Sequence, residues 1–151
     1  MGRYVRVVVG AEGLGRAQVG APNVPVGPVA VGLKRLRPFP VLVIAGRLRG
    51  SRTRINTFVV RGPRRAKVSV RCKGRGCPFG RITGTIGKRK RLRVRRAQRT
   101  FRAGQVLESR VTGRNRIGKF TRITFRRGKA PRRFDSCLRP AARKPSRCPV
   151  T

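Results

Sequence analysis

Four cysteines have the spacing that most directly indicates a chemistry in this chain. Cys72 and Cys77 enclose four residues, and Cys137 and Cys148 enclose ten. Three pairings are possible, and the two local pairs are favoured because each closes a small ring. Loop-closure entropy makes the first ring worth about 2 kcal/mol and the second about 3 kcal/mol. Disulfides persist mainly outside the cytosol, so this pairing predicts an extracellular protein.

A zinc site is the alternative use of the same four cysteines, because four thiolates can bind zinc as a tetrahedron. The short gap that is usual between zinc ligands occurs only once, between Cys72 and Cys77, and the second gap is much wider. The disulfide framework is therefore the favoured interpretation, and zinc stays as the alternative.

The side chains that most enzymes use for catalysis are scarce. The chain has no histidine, and its only carboxylate side chains are those of Glu12, Glu108 and Asp135. Many hydrolases and zinc enzymes depend on an imidazole. Arginines close to Glu108 and Asp135 suit both carboxylates to ion pairing instead, and the chain lacks the phosphate-binding loop in which Gly-Lys is followed by Ser or Thr. The sequence predicts a protein that is not an enzyme and needs no cofactor.

Positive charge dominates the composition. Lysine and arginine together number 41 against three acidic residues, a formal net charge of +38. Internal ion pairs cannot balance this charge, so counterions or an anionic partner must do so. Arginine suits bidentate phosphate and carboxylate contacts, although a GC-rich genome would also favour arginine, and any single cluster has a solvated surface as its alternative interpretation. The residues predicted to bind a polyanion are Arg71, Lys73, Arg75, Arg91, Arg93, Arg95, Arg122, Arg126 and Arg127.

Short segments of alternating polarity must position these residues. Along residues 67–72, Val68, Val70 and Cys72 fall on one face and Lys67, Ser69 and Arg71 on the other, because side chains alternate along a strand. Residues 105–112 and 117–127 repeat this pattern, which places Phe125 in the core. Stacking of Phe120 and Phe125 on nucleic acid bases is the alternative.

The other segments with strand character are residues 41–48, 54–60 and 90–96, and residues 80–87 are a loop or a weak strand. In residues 55–60, the pattern places Ile55, Thr57 and Val59 opposite Asn56, Phe58 and Val60. No segment has a convincing helical period. Strands this short at this spacing predict an all-β protein, an Ig-like β-sandwich of about seven strands.

Proline, glycine and cysteine divide the chain into four parts. Residues 1–21 are predicted to form a hairpin, residues 22–37 a proline-rich linker, residues 38–128 the sandwich module, and residues 129–151 an irregular, basic tail that a disulfide staples. No apolar run approaches the roughly 20 residues of a membrane span. The beginning of the chain lacks the features of a signal peptide.

Five motifs in order resemble a C-terminal module of secreted or cell-surface proteins of high-GC actinobacteria. They are PFPVLVIAGRL (38–48), VSVRCKGRGCP (68–78), FRAGQVLESRVT (101–112), IGKFTRITFRRGKAPRR (117–133) and CLRP (137–140), followed by Cys148. The segment GRYVRVVVGAEGLGRAQVGAP (2–22) is similar to the end of an Ig-like repeat. The resemblance implies that this hairpin closes a truncated repeat and that a signal peptide lies upstream of Met1. One departure is Ala141, which stands where such modules usually have glycine.

Charge, cysteines and resemblance together favour a non-enzymatic, extracellular or cell-surface module. It is expected to be structural or to bind an anionic polymer of the envelope or matrix through arginine-rich strand faces. An intracellular nucleic-acid-binding protein of ribosomal or nucleoid type, with zinc on the cysteines, is the alternative, and it would be cytoplasmic. Nothing in the sequence indicates recognition of particular bases.

Overall fold

The computed structural model describes residues 33–149, so the predicted hairpin and most of the predicted linker lie outside the described residues. This part of the chain contains nine strands, with one turn of 3-10 helix at Arg95–Ala97. The strands are β1 Val41–Arg49, β2 Arg52–Arg61, β3 Lys67–Lys73, β4 Arg81–Thr85, β5 Arg91–Arg93, β6 Thr100–Arg102, β7 Val106–Thr112, β8 Gly118–Arg126 and β9 Lys129–Leu138. No helix within residues 33–149 is long and apolar enough to cross a membrane.

The strands form two antiparallel sheets, as the alternating pattern predicts. The larger sheet has the order β9-β8-β7-β3-β4, and the smaller has β1-β2-β5 with β6 also paired to β2. The chain passes from the smaller sheet to the larger after β2, returns after β4, and crosses again after β6. This path gives the predicted all-β, Ig-like sandwich. Strands exceed the predicted seven because the 3-10 turn divides β5 from β6 and because β9 extends the larger sheet.

Aromatic rings from both sheets meet in the core. Phe101 of β6 stacks on Phe125 of β8 with ring centroids 4.5 Å apart, and Phe79 meets Phe101 edge to face at 6.2 Å. Phe101 and Phe125 are buried, as are Val68, Val70 and Cys72 of β3. The predicted core positions of Phe125 and of the apolar face of β3 are therefore confirmed.

An irregularity in β2 changes which residues face the core. Ala45 pairs with Thr57 but Gly46 pairs with Ile55, which leaves Asn56 as an extra residue. A bulge of this kind shifts the alternation by one position. Ile55 and Phe58 are therefore both buried, and the predicted opposition of these two residues is wrong.

Both ends of the sandwich extend further than the composition predicts. Leu36 is buried, and its backbone N–H donates to the carbonyl of Ile117, so the end of the predicted linker belongs to the sandwich. At the other end, Lys129–Leu138 is an edge strand and not part of an irregular tail. Pro131 obscures this strand in the sequence, but an edge strand tolerates proline because one of its sides needs no ladder hydrogen bonds.

Both local disulfides are present, as the spacing predicts. Cys72 is joined to Cys77, and Cys137 to Cys148. The first pair begins in β3 and the second in β9, which lies three strands away in the same sheet. The spacing of strands places β3 and β9 about 14 Å apart. With both pairs of cysteines joined at this distance, the four sulfur atoms do not form one zinc site.

The C-terminal tail, residues 139–149, begins with a strained turn. Ala141 has a φ of 62°, in the left-handed region that glycine adopts without steric cost. The turn that the resemblance associates with glycine is thus formed here by alanine. We expect Ala141→Gly to raise the free energy of unfolding by about 0.5–1 kcal/mol, measured by chemical denaturation. The exposed neighbour Ala142 provides the control, because Ala142→Gly should give no gain.

Candidate polyanion-binding face

The larger sheet presents one face to the core and the other away from it. We call the second the outer face, because its residues alternate with the buried residues of the same strands. Its basic members, by register, are Lys67, Arg71, Lys73, Arg81, Arg110, Arg122, Arg126, Lys129 and Arg132. Glu108 is its only acidic residue within the described strands.

One row of side chains crosses all five strands of the outer face. In register from edge to edge, it consists of Phe134, Arg122, Glu108, Arg71 and Arg81. Four strand spacings give this row a length of about 19 Å. Phe134 is half exposed at its end, so the row offers an aromatic ring and three guanidinium groups on one surface.

In the adjacent row, two guanidinium groups lie over the aromatic ring of Phe120. Phe120 pairs with Arg110 in β7 and with Ser136 in β9. The Cζ atoms of Arg110 and Arg122 lie 5.2 and 5.3 Å from the centroid of the Phe120 ring, within the range of cation–π attraction. Phe120 is fully buried, so its ring is covered and cannot stack on a base.

Glu108 lies in the centre of the outer face and is fully engaged by cations. Its carboxylate is 3.0 Å from Lys73 Nζ and 3.3 Å from Arg122 Nε, and the residue is 6% exposed. Burial raises the pKa of Glu108, but the hydrogen bonds and charges of Lys73 and Arg122 outweigh this effect and leave the pKa below its ordinary value. Glu108 is therefore ionised at neutral pH and orients these two cations.

The C-terminal tail forms a wall on this face. Arg110 Nη1 donates to the carbonyl of Arg143 at 2.7 Å, and Ser146 pairs through its backbone with Cys137 at the free edge of β9. The Cys137–Cys148 disulfide closes this loop. The tail thus contacts the outer face through Arg110 and is held at the free edge of β9 by Ser146 and by the Cys137–Cys148 bond.

Two clefts lie side by side on the outer face. One has a volume of about 590 Å³ and is bounded by Arg71, Lys73, Glu108, Ala142 and Arg143 among others. The second has a volume of about 520 Å³ and reaches Lys67 and Thr112. Both clefts are lined by Ser69, Arg81 and Arg110. They therefore adjoin each other along β3, whose seven residues extend over about 20 Å.

The structure brings together only part of the predicted set of binding residues. Arg71, Lys73, Arg122 and Arg126 lie on the outer face. The others lie elsewhere: Arg75 in the Cys72–Cys77 loop, Arg91 and Arg93 on β5 of the smaller sheet, Arg95 in the 3-10 turn, and Arg127 in the turn after β8. The nine residues are thus distributed over both sheets and the segments between strands, since β5 pairs with β2 and not with the larger sheet.

Three basic residues on the strands that line the clefts are missing from the predicted set, as is Arg143 of the tail. Lys67 and Arg110 were detectable, since alternation places them on the same faces as Arg71 and Glu108. Arg81 gave no such signal, because residues 80–87 have no clear strand pattern. Its position follows from its pairing with Arg71, which only the folded sheet shows.

Comparison with models of protein families, with curated proteins and with solved structures finds no match for this chain.

Proposed function

We propose that this protein is a non-enzymatic, extracellular module that binds an anionic polymer of a cell envelope or matrix through the outer face. The observation that carries the proposal is the charge of this face: nine basic residues surround one carboxylate, Glu108, which is already paired with Lys73 and Arg122. The remaining cations have no acidic side chain of the same face to balance them. An anionic partner would supply that balance.

The shape of the face supports a polymer as the partner. The two adjoining clefts follow β3 as a groove would, and a linear polymer can contact cations along them at successive repeats. Phe134 lies beside Arg122, with the Arg122 Cζ atom 5.7 Å from its ring centroid. An exposed ring next to a guanidinium group suits a sugar polymer, because the ring contacts apolar ring faces and the cation contacts acidic substituents.

The disulfides support an extracellular location. Both pairs of cysteines are joined, and disulfides of this kind are rare in reducing compartments. The Cys137–Cys148 bond also holds the tail that forms one wall of the groove. A reducing environment would therefore weaken the binding face itself.

The first test compares binding of the full chain to polymers of different charge across a salt series. We expect binding to a sulfated or uronate polysaccharide and none to neutral dextran, with affinity falling steeply as salt rises. Equal, salt-insensitive affinity for anionic and neutral polysaccharide would refute the proposal. Single-stranded and double-stranded DNA are included, and a clear preference for DNA over polysaccharide would favour the nucleic-acid-binding alternative.

Two triple variants with the same change in charge test which face binds. The first replaces Lys67, Arg71 and Arg132 of the outer face by glutamine, and the second replaces Arg61, Arg91 and Arg93 of the smaller sheet. We expect the first variant to bind about tenfold more weakly than the second. Equal losses would show that the net charge of the protein matters and that the outer face does not.

A further inference from the structure

The overlap of the two clefts contains an unusual concentration of like charge. Arg71 and Arg81 stand directly opposite each other on β3 and β4, and like charges in this position destabilise a sheet. Arg110 of β7 borders the same space and is paired in register with Ser69. Three strands thus contribute one guanidinium group each to the surroundings of one serine.

No acidic side chain in the described part of the chain forms an ion pair with these three arginines, and the carboxylate nearest in register is that of Glu108, opposite Arg71. The ion pairs of Glu108 are with Lys73 and Arg122, and those of Asp135 are with Lys119 and Arg133. One donor of Arg110 is used by the carbonyl of Arg143, which fixes the position of this guanidinium group without cancelling its charge. Arg81 and Arg110 therefore have no carboxylate partner among residues 33–149, and the repulsion between Arg71 and Arg81 is offset only by Glu108 on the other side of Arg71.

Hydroxyl groups add neutral donors to the same space. Ser69 lines both clefts, and Thr83, its register partner on β4, lines the second. An oxyanion here would meet donors from three strands. A carboxylate is planar and has two oxygens, which one or two guanidinium groups satisfy. A tetrahedral oxyanion has oxygens in several directions and can accept from all three arginines and a hydroxyl.

We propose that Ser69, Arg71, Arg81 and Arg110 form a subsite for a single tetrahedral oxyanion, a sulfate or phosphate ester carried by the polymer. This inference rests on the proposed function, and it narrows the ligand to a sulfated or phosphorylated polymer over one that carries only carboxylates. Because three arginines would have to be satisfied together, the subsite discriminates by the geometry of the anion and not only by its charge.

Arg81→Gln is the sharpest variant, because Arg81 is exposed and forms no ion pair with an acidic residue among residues 33–149. We expect it to weaken binding of a sulfated polysaccharide about tenfold and binding of a polyuronate of equal charge density less than about twofold. Arg93→Gln is the matched control, since Arg93 faces Val59 and not a cation. It should change neither affinity by more than about twofold.

Thermal melts of the same variants supply a second readout. Without added anion at low salt, Arg81→Gln should raise the midpoint by about 1–2 °C, because it removes the repulsion from Arg71. Inorganic sulfate and phosphate, at constant ionic strength, should raise the wild-type midpoint more than acetate does, and this excess should disappear in Arg81→Gln. The two inorganic ions also show which oxyanion the subsite prefers.

These binding and melting experiments can refute the subsite without refuting the proposed function. If the outer face binds all anionic polymers but Arg81→Gln weakens sulfated polysaccharide and polyuronate equally, the subsite is refuted and the proposed function stands. A lower midpoint for Arg81→Gln would also refute it, because Arg81 would then be a stabilising residue. If no anionic polymer binds, the proposed function fails, even where sulfate alone stabilises the protein.

Discussion

Replacement of Phe101 by alanine is expected to lower the free energy of unfolding by about 3–5 kcal/mol. Phe101 is fully buried on β6 of the smaller sheet, and its ring lies parallel to that of Phe125 on β8 of the larger sheet. The third ring, Phe79, packs on it edge to face. The alanine variant would lose the burial of a whole ring and leave a cavity between the sheets. Denaturant titration followed by circular dichroism measures this change.

Phe134 provides a control, because it is the same type of residue as Phe101 but lies on the surface. Phe134 is half exposed on the outer face, and its deletion should cost less than about 1 kcal/mol. Similar losses for Phe101→Ala and Phe134→Ala would show that the stack between the sheets does not hold the sandwich together. Phe101→Leu should recover part of the stability, because it refills much of the volume.

Alternation of polarity correctly predicted the buried positions of those strands that have one buried face and no irregularity. Residues 67–72 alternate without interruption, and Val68 and Val70 are buried as expected. The same reasoning failed in β2, because the bulge at Asn56 moves Phe58 onto the face of Ile55. A bulge depends on how two strands pair, and alternation within one strand does not reveal it.

The edge of the larger sheet was hidden for a different reason. Lys129–Leu138 contains Pro131 and four charged residues, its first residue included, with a polar and largely exposed surface. Such a strand has little apolar alternation because only part of it covers the core. Its hydrogen bonds to β8 come from the register of the hairpin, in which Gly128 adopts the positive φ of the turn.

The candidate site was predictable by residue type but not by location. Alternation separated the cationic face of β3 from its apolar face, and this placed Arg71 on the cationic face. It could not show that Arg91 and Arg93 belong to the other sheet, since an arginine-rich strand looks the same in either sheet. The central features of the outer face, the pairing of Arg71 with Arg81 and the covered ring of Phe120, arise between strands that are distant in sequence.

Glu108→Gln is expected to lower the free energy of unfolding by about 2–3 kcal/mol at neutral pH. The variant removes the only negative charge in the centre of the outer face, so Lys73 and Arg122 lose their partner and repel the neighbouring Arg71. Because the two cations are partly exposed, water compensates some of this loss. Urea titration at low and high salt measures it, and high salt should reduce the difference from wild type.

The stability difference between wild type and Glu108→Gln should depend on pH. The pKa of folded Glu108 lies below its ordinary value of 4.5, so its contribution is complete at pH values above that value. It is lost as the pH falls through the lower, folded-state pKa. Wild type should therefore lose stability in acid more steeply than Glu108→Gln, and the two curves should converge at low pH.

Asp135→Asn is the control for loss of a carboxylate at a less central position. Asp135 accepts a hydrogen bond from Thr121 and pairs with Lys119 and Arg133, but its side chain is 38% exposed. Its loss should cost about 1 kcal/mol or less. If Glu108→Gln were as stable as wild type at neutral pH, the cations of the outer face would not need their central carboxylate. The electrostatic cost that supports an anionic partner would then be absent, and the proposed function would lose its main physical support.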